Sequence, residues 1–189
     1  MSGPGRRAPT RVVASLHAAV LAFTLLGAPA TAQNGIDLQQ GVRTGTGSLL
    51  RVSTEALTFD FGADAIGSRD PDTAHPATHG SPFRLRAAVP SAAAWVLEVD
   101  VEVPIEAESA APLSTLVLEL RTVATGPESV PGCTGSGGWI PVDAPRLLLD
   151  LRGPGECALD VHARLRGPAL EAPGRYQGRL TWTLRRAAE

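Results

Sequence analysis

The densest set of groups able to hold a ligand lies in one stretch, SRDPDTAHPATHGSP, spanning 68–82. It contains Asp70, Asp72, His75 and His79, with Asp60 and Asp64 just upstream. Several carboxylates from one flexible loop suit calcium, and a His-x3-His spacing suits zinc. Pro71, Pro76 and Pro82 break any helix that would bring both histidines to one face. A solvated loop is therefore the expectation, and these four residues stand only as weak metal candidates. For catalysis the sequence offers less. There is no Gly-x-Ser-x-Gly elbow for a nucleophile. The acidic pairs Glu98/Glu102 and Glu106/Glu108 fall on the exposed side or end of a strand pattern, where solvent keeps carboxylates ordinary. No glycine loop precedes a helix to cradle phosphate. The expectation is a non-enzyme with no cofactor.

Two cysteines, Cys133 and Cys157, and three tryptophans, Trp95, Trp139 and Trp182, remain. The start of the chain decides how the cysteines are read. Arg6, Arg7 and Arg11 precede an apolar run from Val12 to Leu26, and Ala30-Thr31-Ala32 supplies the small residues of a cleavage site. Residues 1–32 thus read as a signal peptide, with the mature chain starting at Gln33. Export brings an oxidising compartment, so a Cys133–Cys157 disulfide is expected. Closing that loop is worth on the order of 3 kcal/mol in the chain-entropy model. A two-cysteine metal site would need paired ligands at fixed spacing, which are absent. Trp139 follows the glycine-rich GCTGSGG next to Cys133. There a large ring is open either to contacting a sugar or partner or to packing over the end of the fold. Trp95 and Trp182 have two readings as well, as core anchors of two strands or as an aromatic platform for glycans.

The elements that must position these residues are strands. In WVLEVDVEV, Trp95, Leu97, Val99, Val101 and Val103 share one face, opposite Glu98, Asp100 and Glu102. The same period of two runs through SLLRVS, through Leu57, Phe59 and Phe61, and through Phe83, Leu85 and Ala87. It returns in Leu116, Leu118 and Leu120, in Leu147, Leu149 and Leu151, and in Leu159, Val161, Ala163 and Leu165. It closes in Tyr176, Gly178, Leu180, Trp182 and Leu184. Turn residues separate the runs, as in RGPGE (152–156). Strands with one apolar face predict an all-β fold, an antiparallel two-sheet β-sandwich of about eight strands and Ig-like in kind. Gly174 and Tyr176 in PGRYQG resemble the turn and tyrosine that often precede the last strands of such sandwiches. The expected organisation is a signal peptide (1–32), a flexible N-terminal segment (33–47), polar and glycine-rich without sustained period, and a single sandwich domain (48–186).

Composition narrows the partners. Without residues 1–32 the chain has 157 residues, enough for one modest core. All its positive charges are arginine, and the mature part sets 14 of them against 19 acidic residues, so nucleic acid is not an expected partner. No second apolar run approaches a membrane span of about 20 residues. With no lipid-accepting cysteine at the cleavage site and no sorting motif, attachment to a cell is expected to be non-covalent.

Three stretches together resemble the WxL domain of bacterial surface proteins: GSLLRVSTEALTFDFG (47–62), Trp95-Val96-Leu97, and GRYQGRLTWTL (174–184). The resemblance implies a β-sandwich, export, and non-covalent association with the cell wall through peptidoglycan. The leading expectation is a secreted, envelope-associated domain that binds wall polymer or another surface protein. Trp139, Trp95 and Trp182 are its candidate contacts. One alternative is a structural subunit, pilus-like or of a coat, in which the free 33–47 segment pairs with a neighbour's edge strand. Another is a calcium- or sugar-binding module. The oligomeric state stays open.

Overall fold

Period-two alternation puts bulky apolar groups on one side of an extended backbone. In the computed structural model, which describes residues 34–62, 70–102, 116–125, 130–168 and 174–187, that pattern has become strand throughout. Eleven strands and no helix are present among the described residues. They are β1 (Asn34–Thr44), β2 (Leu49–Val52), β3 (Ala56–Phe61), β4 (Ala74–Pro76), β5 (Phe83–Val89) and β6 (Ala94–Glu102). The rest are β7 (Val117–Ala124), β8 (Ile140–Val142), β9 (Arg146–Arg152), β10 (Gly155–Arg166) and β11 (Arg175–Arg186). Among these residues no helix is long and apolar enough to cross a membrane. The expected leader, Asp64 and the Glu106/Glu108 pair lie outside the described residues.

Two sheets form. The first has the order β3-β1-β11-β6-β9, and the second β2-β5-β10-β7-β8, with β4 beside β10. The fold is the all-β two-sheet sandwich expected from the alternation. Its inner faces bury Trp95, Leu97, Trp182 and Leu184 from the first sheet, and Leu85, Leu120, Leu159 and Val161 from the second. Contact between the layers is direct. Phe83 of β5 meets Trp182 of β11 edge-on, ring centroids 5.7 Å apart.

Three strands beyond the eight expected are β1, β4 and β8. The segment 33–47 is the plainest departure from expectation: Asn34–Thr44 is an internal strand, not a flexible lead-in. It runs parallel to β11, with Ile36 beside Tyr176 and Leu38 beside Gly178, and antiparallel to β3. The sheet is therefore not purely antiparallel. Only Ile36 and Leu38 alternate with Asp37 and Gln39, too short a pattern to stand out, yet both are buried. The glycine that made the segment look loose has a packing role. A Cβ on Gly35 would stand 2.7 Å from the Phe59 carbonyl oxygen, so only glycine lets β1 approach β3 so closely.

A second correction concerns β9. Leu147 was expected inside with Leu149 and Leu151, but it is 52% exposed. The β6–β9 register shifts between Leu97 and Glu98, so that Leu97 faces Leu149 and Glu98 faces Leu147. This irregularity reverses the alternation at the start of β9.

Candidate functional site

The stretch from Val130 to Trp139 has the composition of a mobile loop, but it is tied to both sheets. Gly132 has φ of +90°, and any side chain there would collide with the Asp150 carbonyl oxygen of β9. The Arg152 N–H donates to the Pro131 carbonyl at 2.9 Å. On the other side Cys133 is disulfide-bonded to Cys157 of β10, with Cα atoms 5.5 Å apart. Farther along, Ser136 and Thr122 of β7 exchange two hydrogen bonds. The Ser136 N–H donates to Thr122 Oγ1 at 2.9 Å, and the Thr122 N–H donates to Ser136 Oγ at 3.0 Å. Gly135 lies against the Thr122 carbonyl, where a Cβ would come within 2.7 Å.

This anchored loop delivers Trp139 to the outer face of the second sheet, half-buried, one residue before β8. Its ring lies on two guanidinium groups. Arg164 Cζ is 4.2 Å from the ring centroid and Arg121 Cζ is 5.3 Å from it. Such cation–π contacts contribute about 0.5–1 kcal/mol at exposed sites and more where water is excluded. Arg164 is itself fixed from below by Glu119, directly opposite it in the β10–β7 register. The Glu119 carboxylate accepts from Arg164 Nε at 2.7 Å and from Arg166 Nε at 2.6 Å. Although it sits on an outer face, Glu119 is only 5% exposed. That burial would raise its carboxyl, but the hydrogen bonds from Arg166 and Arg164 outweigh it and hold the group below the usual carboxylate range.

The other stretch singled out in the sequence borders the same cluster. Strand β4 lies along β10 with Pro76 opposite Arg164, and Asp72 reaches Arg166 at 3.7 Å. The Gly167 N–H donates to the Thr73 carbonyl at 3.1 Å. Two segments far apart in sequence thus flank one ion-pair cluster, β4 on one side of β10 and Trp139 on the other. What this arrangement offers chemically is a rigidly held, half-open indole face beside guanidinium donors. Such a surface stacks on the apolar face of a sugar ring and bonds its oxygens.

The remaining candidates are dispersed. Asp70 accepts a bond from the Asp72 N–H at 3.0 Å, a local turn contact. His75 packs its ring on Phe61 at 4.9 Å. His79 stands 3.9 Å from Asp60, which also accepts from the Thr78 hydroxyl at 2.8 Å. Among the described residues no three His, Cys, Asp or Glu side chains converge as a metal site. Glu98 is bound by Arg185 at 2.6 Å. Trp95 and Trp182, two of the three candidate contacts, are both 0% exposed and offer no face to a ligand. Their side of the period-two pattern is the inner one. The sequence did not reveal the Glu119–Arg164–Arg166 cluster. Alternation with Leu118, Leu120, Ala163 and Leu165 places Glu119, Arg121 and Arg164 on outer faces, but the register that sets Glu119 opposite Arg164 is a tertiary property.

Compared with known proteins, the chain matches no family model and no curated protein. The likeness to WxL domains therefore rests on the residues alone.

Proposed function

We propose that this chain is an exported, non-catalytic β-sandwich that stays at the cell envelope by binding wall polymer non-covalently through the surface around Trp139. The observation that carries this reading is the pre-organised indole. It is the one tryptophan open to solvent, it rests on Arg164 and Arg121, and its loop is stapled to β10 by a disulfide. Binding residues held on a rigid frame lose little freedom on contact. The disulfide fits an oxidising compartment, as the leader-like start of the sequence requires.

The two motifs behind the WxL-like reading lie side by side in the fold. Trp95-Val-Leu97 and Trp182-Thr-Leu184 lie on adjacent strands, with Leu97 directly opposite Leu184. In this chain the motifs build the core, and the proposed contact surface lies elsewhere, on the opposite sheet. The strand-exchange alternative has lost its free donor, because Asn34–Thr44 already occupies the slot between β3 and β11.

The test is co-sedimentation of the purified protein with peptidoglycan sacculi. The wild type is expected in the pellet, and Trp139→Ala is expected to be depleted several-fold while its melting temperature changes little. Recovery no greater than that of an unrelated exported domain would exclude the wall-binding reading.

A further inference from the structure

The outer face of the second sheet carries an excess of arginine. The whole chain has a formal charge of −2, yet this one face holds six arginines, from Arg51 on β2 to Arg166 on β10, against three carboxylates: Glu119, Glu156 and Asp160. On the first sheet Arg175 is paired with Asp37, Arg185 with Glu98 and Arg152 with Asp150. On the second, Arg84 is paired with Asp160, and Arg164 and Arg166 share Glu119, which leaves Arg51, Arg86 and Arg121 without a carboxylate partner among the described residues.

Within the basic face one pair stands out. Arg51 of β2 lies directly opposite Arg86 of β5. Both are exposed, and neither makes an ion pair or side-chain hydrogen bond among the described residues. Like charges directly opposite one another across an antiparallel pair are destabilising. The next position across the sheet from Arg86 is Ala158, a small side chain that brings no charge of its own to the pair. The fork of an arginine suits the paired oxygens of a carboxylate or phosphate, and two forks side by side suit one such anion better still.

A second unsatisfied cation lies across the same face. Arg121 of β7 has a buried Nε without a hydrogen-bond partner, and its guanidinium lies under Trp139. Between the two points are Arg84, held by Asp160 at 3.0 Å, and His162, directly opposite Arg121. From a strand spacing of about 4.8 Å and a rise of about 3.4 Å per residue, Arg86 and Arg121 are roughly 17 Å apart, the reach of a few linked sugars.

We infer that this face is a binding track for an anionic polysaccharide. One carboxylate or phosphate of the chain is taken between Arg51 and Arg86, and a sugar ring is stacked on Trp139 above Arg121. The track deepens the wall-polymer reading and rests on it, because it names the charge of the polymer and the residues that select it.

The test measures binding of the full chain to three soluble polymers of matched length: polygalacturonate, a poly(glycerol phosphate) and neutral dextran. Wild type is expected to bind one or both of the anionic polymers and not dextran. A preference between the two shows whether carboxylate or phosphate is the natural group. The double variant Arg51→Gln/Arg86→Gln should lose about 10-fold or more in affinity, since both charged donors to the anion are removed. Its melting temperature should stay level or rise, because a like-charge contact is removed. Arg43→Gln, on β1 in the other sheet, should bind as wild type does. Dextran bound as tightly as the acidic polymers, or a double variant with unchanged affinity, would overturn the track. So would tighter binding of single-stranded DNA than of either acidic polymer. Retention on sacculi that persists in the double variant would leave the wall-polymer reading standing without the track. Acidic polymers bound by a protein that sacculi do not retain would do the reverse.

Discussion

Trp182 donates its indole N–H to the side-chain carbonyl of Gln40, 2.8 Å away, and so ties the last strand of the sandwich to the first. The ring is buried among apolar side chains, where an unpaired N–H would be costly. Gln40 is the polar group that β1 brings into that interior, in a segment whose composition looks like a linker.

The first prediction follows from this bond. Gln40→Leu strands the indole N–H and should destabilise the protein by about 1–3 kcal/mol. Deleting 34–44 should do far more, since it removes a strand paired on both edges together with the buried Ile36 and Leu38. Urea unfolding of the two variants checks both. A deletion that melts like the wild type would mean that β1 is dispensable.

A second prediction separates the tryptophans. Trp182→Ala should cost about 3–5 kcal/mol, because a fully buried ring in contact with Phe83 is lost. Trp139→Ala removes only a half-exposed ring resting on two arginines and should cost about 1 kcal/mol. Equilibrium denaturation of the two variants side by side gives the comparison.

Reduction of the disulfide is the third. Opening the Cys133–Cys157 link should lower stability by about 3 kcal/mol. Because the same link holds the loop that carries Trp139, reduction should also loosen that ring. The Trp139 indole N–H resonance of the otherwise unchanged protein would report this as a shift and broadening on reduction, at temperatures where the Trp95 and Trp182 resonances stay in place.

The fourth concerns acid. Glu119 and Asp37 are held below their ordinary values. For Glu119 the burial penalty is outweighed by bonds from Arg166 and Arg164, and for Asp37 the chief cause is the bond from Arg175. Groups depressed in the folded state contribute stability that is complete above the unfolded carboxylate range, near pH 4, and is shed as pH falls through the folded values. Melting temperature should therefore be level from pH 7 to 5 and drop below about pH 4. Glu119→Gln should melt lower at neutral pH and show a shallower acid drop. An acid limb identical to the wild type's would assign the transition to other carboxylates.

Legibility in the sequence followed the length of each apolar pattern. Strand β6, with Trp95, Leu97 and Val99 in unbroken alternation, and β10, with Leu159, Val161, Ala163 and Leu165, could be read directly, and the sandwich followed from them. Strand β1 has two inward aliphatics and a glycine demanded by close packing, so its local sequence gives no sign of a partner on each side. Strands β4 and β8 have three residues each, below the length at which a period shows. Leu147 was misplaced by a register shift that alternation cannot encode. At the candidate site, Trp139 and the Cys133–Cys157 link were visible from glycine spacing and cysteine number. The opposition of Arg51 to Arg86, and of Glu119 to Arg164, depends on which strands become neighbours and in what register.

Whether Trp139 is the residue that meets the polymer is decided by a nuclear magnetic resonance titration of the protein with soluble wall-polymer fragments, following the three indole N–H signals together. The Trp139 signal is expected to shift progressively with ligand while those of Trp95 and Trp182 stay fixed. A silent Trp139 under saturating fragments, or shifts confined to the opposite sheet, would contradict it.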